Sequence, residues 1–245
     1  MEDFGLSHFL ARADLLGQFV LLALLAMSLA SWFVILFKSV QLRGASRAGR
    51  AFLDAYRRSS TPQALSQVLL DEPPTESYGR VAAAGFETWN RWRRSGERRL
   101  VELRDPAEFV ASHLALAVSR EQDRLENGLA ILATVGSTAP FIGLLGTVWG
   151  IYHALITIGM TGQGTLDKVA GPVGEALVMT AFGLAVAIPA VLAYNAFVSR
   201  TRTAASDLDA FARELLAFFA TGVHAATDRH LAIVAEMPLA TAERR

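Results

Sequence analysis

Glu175 is the only Asp, Glu, Lys or Arg between Lys168 and Arg200, and it lies in "GPVGEALVMTAFGLAVAIPAVLAYN". What that carboxyl group can do depends on its solvent. In lipid a carboxylate is costly, and intramembrane acids face a bundle interior or an aqueous path, where they serve ion or proton relays. The other polar side chains of the surrounding apolar sequence include Thr138, Thr147, His153, Thr157 and Thr180. A threonine in such a helix ordinarily bonds its hydroxyl back to its own backbone, and His153 reads as interfacial. Two placements of Glu175 stay open. A helix starting at Pro172 puts it in the first turn, near the surface and stabilised by the helix dipole. A helix starting near Thr165 puts it about 15 Å along, well inside. Glu175 and Thr180 are roughly 140° apart around one helix, so a polar path through both needs Thr147 from a second helix.

Enzymatic chemistry finds no support. Ser137 and His153 could suggest a hydrolase, but 16 residues of one helix separate them by about 24 Å, too far for a hydrogen-bonded dyad. The chain has no Gly-x-Ser-x-Gly, no His-Glu-x-x-His, no phosphate loop and no cysteine. We read it as a non-enzyme with no cofactor and no metal.

The elements that must hold these side chains are membrane helices. Hydrophobic residues make up 52% of the 245, and the formal net charge is +0 from 23 basic and 23 acidic residues. Residues 15–37 and 127–166 carry no Asp, Glu, Lys or Arg, and 169–199 carry Glu175 alone. Each run exceeds the roughly 20 apolar residues that a spanning helix needs. The first is no cleaved leader: "MEDFGLSHFLARAD" has more acids than bases, and no small-residue cleavage site follows. Lys38, Arg43, Arg47 and Arg50 follow it, and Arg200 and Arg202 follow the third run. The positive-inside rule then places the N-terminus outside and the C-terminus inside. The expected order is an external segment 1–14, a span 15–37, a cytoplasmic helical loop 38–126 and a span 127–158. An external loop 159–168, a span 169–199 and a cytoplasmic tail 200–245 complete it.

Within the loop, "SSTPQALSQVLLDEPPTES" reads as a short helix with Pro62 in its first turn, ending before Pro73. "YGRVAAAGFETWNRWRRSGERRL" reads as another. "DPAE" at 105–108 offers Asp105 as cap, Pro106 as first helical residue and Glu108 as the capping-box acid. From there Leu114, Val118, Leu125, Leu129 and Leu132 keep a heptad-like spacing, and no break is expected before Gly136 or Pro140. Leu208, Phe211, Leu215 and Phe218 make an amphipathic stripe in the tail. The cluster Trp89, Arg91, Trp92, Arg93, Arg94 reads as a solvated or headgroup-facing side. A loop with 15 basic and 12 acidic residues sets up no field for a nucleic acid.

Membrane helices approach closely only where small residues permit it. Gly136, Ala139, Gly143, Gly146 and Gly150 supply one such stripe; Ala176, Thr180, Gly183, Ala187 and Ala190 supply another. Packing within one three-helix chain explains them in the simplest way. Two stripes in so short a chain also favour helices packed on several sides, hence an oligomer.

"ATVGSTAPFIGLLGTVWGIYHALI" and "TLDKVAGPVGEALVMTAFGLAVAIPAVLAYN" resemble the MotA/TolQ/ExbB proton channel family over roughly 133–195. "GSTAPF", "TLDKVAGPVGEAL" and the chain length are nearer to its ExbB branch, with the TolQ branch as close alternative. The resemblance implies an all-α integral membrane protein of the bacterial inner membrane, with three transmembrane helices and long cytoplasmic helical extensions. It implies a ring oligomer, a pentamer, lined by spans two and three around a dimer of an ExbD-like single-span partner that carries a membrane Asp. It also implies an energy transducer of the TonB kind, membrane lipids as surroundings, and no nucleic acid. The family's polar residues fall on Thr147, Glu175 and Thr180, which the resemblance makes the proton pathway. A non-conducting membrane scaffold is the rival class.

Overall fold

The structure is a computed structural model and describes residues 15–59, 61–71, 75–94, 106–161 and 166–221. All regular structure among them is helical. In order, the helices are α1 Leu15–Arg58, α2 Pro62–Asp71, α3 Ser77–Arg94, α4 Pro106–Glu126, α5 Leu129–Thr161 and α6 Leu166–Thr221. Three stretches, within α1, within α4–α5 and within α6, are long and apolar enough to cross a membrane. Asp105 and the end of the expected helix beyond Arg94 lie outside the described residues.

The chain divides into two compact units, residues 1–40 with 126–199, and residues 41–125 with 200–245. The first holds the apolar parts of α1, α5 and α6. Its interior is narrow: Val20, Leu24, Val34, Leu132, Val135, Ala139, Ala176, Met179, Ala187 and Ala190 are buried. Large apolar side chains such as Phe19, Phe33, Phe141 and Leu192 stay exposed. Helices in lipid gain nothing hydrophobic by touching, so an inside of small residues and an outside of large ones is what a membrane bundle requires.

The second unit is organised as in water, around aromatic side chains. Tyr56 meets Phe211 and Phe218 edge-on at 5.2 and 5.6 Å, Tyr78 meets Phe211 at 5.4 Å, and Trp89 stacks on Phe219 at 5.5 Å. Such pairs add about 0.5–1.5 kcal/mol each beyond the area they bury. The stripe Leu208, Phe211, Leu215 and Phe218 lies in this core with Leu114, Val118 and Leu125. Glu76, buried ahead of α3, accepts from the backbone N–H groups of Tyr78 (2.7 Å) and Gly79 and so caps the helix. Burial pushes its carboxyl above the usual range, against the lowering effect of those two N–H groups and of Arg80. Arg80 donates to the buried Glu121 through Nε at 2.9 Å and Nη2 at 2.5 Å, tying α3 to α4.

One expectation fails. The helix from Pro106 does not run unbroken to Gly136 or Pro140: it stops at Glu126, and α5 begins at Leu129. Gly128 between them has φ +85°, a left-handed conformation that glycine takes without steric cost. Heptad spacing runs through the break because Leu125 and Leu129 both point inward, which hides the glycine signal. Gly136 and Pro140, by contrast, lie inside α5.

Candidate functional site

α5 and α6 pair so closely that their glycines set the distance. A Cβ on Gly143 would lie 2.7 Å from the Met179 carbonyl oxygen and 3.0 Å from the Gly183 Cα. A Cβ on Gly183 would meet the Ala139 oxygen at 2.7 Å. Gly150 faces Ala176 and Gly136 faces Val191, at 2.8 and 2.5 Å to the nearest side-chain atom. Gly146 sits between Met179 of α6 and Val20 of α1. Both stripes are therefore used within a single chain.

The close approach brings Thr147 onto α6. Its Oγ1 lies 3.0 Å from the Ala176 carbonyl oxygen, 3.2 Å from that of Gly143 and 2.5 Å from the Thr180 hydroxyl. Thr147 is buried, and Thr180 half-buried. Other threonines follow the ordinary pattern: Thr134 bonds Ala130, Thr138 bonds Thr134 and Thr157 bonds His153, each to a backbone oxygen four residues back. Thr147 keeps that contact with Gly143 and adds one to Ala176, because glycines at 143 and 183 leave its hydroxyl within reach of a second backbone.

Glu175 immediately precedes Ala176. α6 begins at Leu166, so the carboxylate stands nine residues along the helix, about 13.5 Å, rather than in a first turn at Pro172. The side chain is half-buried. The structure brings Thr147 and Thr180 into direct contact and places Glu175 next in sequence to the backbone acceptor of Thr147, without a hydrogen bond from Glu175 to either hydroxyl among the described residues. His153 is exposed and packs against Trp149 in a tilted arrangement, 5.8 Å between ring centres. Ser137 bonds the Thr134 oxygen of its own helix.

Sequence reasoning missed four features of this unit. The Ala176 carbonyl is an acceptor at the site, and no side-chain pattern could reveal it. Ser31, 1% exposed, has a buried hydroxyl with no hydrogen-bond partner among the described residues, as has the Trp149 indole N–H. The two serines of "LLAMSLASWF", Ser28 and Ser31, were the available signal for the former. Lys38, the first of the positive residues that follow the first span, is buried beside Gly128.

Fold and site together define a class: a three-span helical membrane protein with a hydroxyl bridge and an isolated acid on two closely paired spans. Residues 80–210 match the MotA/TolQ/ExbB proton channel family. The chain is 44% identical over 209 residues to the biopolymer transport protein ExbB of Xanthomonas campestris pv. campestris, covering 83% of this chain and 81% of that one. It is 40% identical over 203 residues to ExbB of Neisseria meningitidis (82% and 90% covered). It is 36% identical over 220 residues to the Tol-Pal system protein TolQ of Pseudomonas aeruginosa (89% and 94%). The chain belongs to the MotA/TolQ/ExbB proton channel family, and is a multi-pass membrane protein of that kind.

Proposed function

We propose that the chain is an ExbB-like subunit of an inner-membrane proton-driven motor. It forms a ring, a pentamer, around a dimer of an ExbD-like single-span partner, and passes energy to a TonB-like transducer for import across the outer membrane. Glu175 carries this reading as the one acid in its apolar run, one residue from the carbonyl on which Thr147 docks. Thr147 and Thr180 form the polar surroundings of the path. One charge crossing 100 mV is worth about 2.3 kcal/mol, well above thermal energy, so each proton can bias a conformational step. The ring offers Glu175 as the single acid of its third span; the partner's membrane Asp supplies the second protonatable group.

The relatives named ExbB, at 44% and 40% identity, favour this branch; the TolQ relative, at 36% over more of the chain, favours a Tol-Pal role. Deletion in the native host separates them. Loss of siderophore-dependent growth under iron limitation is the expected result. Detergent sensitivity with normal iron uptake would instead assign the chain to the envelope system. A scaffold with no ion flux predicts that proteoliposomes containing the chain and its partner stay proton-tight.

Orientation follows from the charge flanks, with the N-terminus periplasmic and the C-terminus cytoplasmic. A cysteine at Ser7 or Gly162 is expected to react with an impermeant thiol reagent in intact spheroplasts, and one at Ser95 to stay unlabelled until the membrane is opened. Labelling at Ser95 from outside reverses the assignment.

A further inference from the structure

We infer that Thr147 is a positioning residue: its hydroxyl clamps α5 to the backbone of α6 beside Glu175 and does not itself relay protons. The inference rests on the proton-path reading of Glu175 and concerns what the two hydroxyls around it do.

Each threonine hydroxyl has one proton to donate and two lone pairs to accept with. Thr147 and Thr180 lie 2.5 Å apart, so one of them donates to the other. The Thr147 hydroxyl also faces two backbone oxygens, Ala176 at 3.0 Å and Gly143 at 3.2 Å. Both contacts require Thr147 to be the donor, since a carbonyl cannot donate. Thr180 must then donate to Thr147. The chain of bonds runs from Thr180 to Thr147 to a backbone carbonyl, and there it stops. A relay needs every member to take a proton on one side and release one on the other. A carbonyl oxygen has none to release, whichever of the two Thr147 selects. Thr180, half-buried, keeps lone pairs that can accept from water; Thr147, 6% exposed, is spent on holding the helices.

The bond lies where it can set the position of Glu175. Ala176 is the next residue, and Gly150 packs on the Ala176 side chain while Gly143 packs on the backbone of Thr180 and Gly183. The glycines set how close the helices come, but smooth backbones can still slide along each other. A directional hydrogen bond fixes the register, and with it the level at which Glu175 stands against α5.

The test compares Thr147→Val, Thr147→Ser and Thr180→Val in proteoliposomes holding the complete complex, with proton flux read by an internal pH dye. Amide hydrogen exchange over residues 171–182 is read on the same preparations. Valine keeps the shape of threonine and removes its hydroxyl. Thr147→Val is expected to lower flux about tenfold, the effect of one buried hydrogen bond, and to raise exchange over 175–180. Thr147→Ser restores both. Thr180→Val removes a polar group of the path but no bond to the α6 backbone, so it is expected to lower flux by about threefold and to leave exchange unchanged. Equal flux losses in the two valine variants with exchange unaltered would mean that both hydroxyls relay, and overturn the clamp. Native flux and native exchange in Thr147→Val would overturn it too. Glu175→Gln runs alongside: native flux there overturns the reading of Glu175, while the exchange comparison still decides the clamp.

Discussion

Glu175→Gln is expected to insert, assemble with its partner and lose energy-dependent uptake down to the level of a strain lacking the gene. Glutamine keeps the volume and hydrogen-bonding reach of the side chain while removing its proton-exchanging group. The packing around it does not depend on charge, since Ala176, Gly150, Met179 and Gly143 hold α5 on α6 through atoms that the substitution leaves alone. Membrane abundance and partner capture should therefore stay native, and the loss should appear only in the coupled process. Glu175→Asp keeps the charge on a shorter stem and should retain part of the activity. The measurement is iron–siderophore uptake at matched membrane abundance. Full uptake by Glu175→Gln would make the residue an interfacial acid near a helix end. Reduced abundance would make it a folding residue instead. Either result ends the proposal that this side chain serves the proton path.

Much of this architecture was legible because the bilayer imposes long runs and sparse charge. The three apolar segments, the short helix beginning at Pro62 and the tail stripe through Phe211 and Phe218 all follow from periodicity and punctuation. The stripes of small residues were legible too, but what they pack against was not. A run of glycines states that something approaches closely; whether that is a helix of the same chain or of a neighbour depends on tertiary placement. Gly128 escaped because inward-facing leucines on both sides kept the heptad phase across a two-residue break. Thr147 and Thr180 were visible as polar residues in apolar sequence, yet their contact depends on helix register, which side-chain patterns leave free. The buried Ser31 and Lys38 show the same limit in α1, where polar side chains turn inward against composition.

Replacing Gly143 or Gly183 should be the most damaging change to the fold of the membrane unit. Most buried glycines can accept a methyl group if a flexible side chain swings away. Here the obstruction is backbone on both helices: the Met179 oxygen and Gly183 Cα around position 143, and the Ala139 oxygen and Gly143 Cα around position 183. Backbone cannot yield without separating the helices, so even alanine forces α5 and α6 apart. Overpacking of this kind costs about 1–3 kcal/mol, and leucine, with three more carbons, should leave no folded protein to purify. The separation would also lengthen the Thr147 bond to Ala176, so Gly143→Ala should raise hydrogen exchange near Glu175 as Thr147→Val does. Gly174, on α6, has nothing within 4 Å of its would-be Cβ among the described residues. Gly174→Ala should therefore leave the thermal midpoint unchanged or raise it slightly, by the roughly 0.5–1 kcal/mol that alanine gains over glycine in a helix. Thermal unfolding of the three alanine variants in one detergent decides the matter. Native midpoints for Gly143→Ala and Gly183→Ala would show that the two helices do not meet at these glycines.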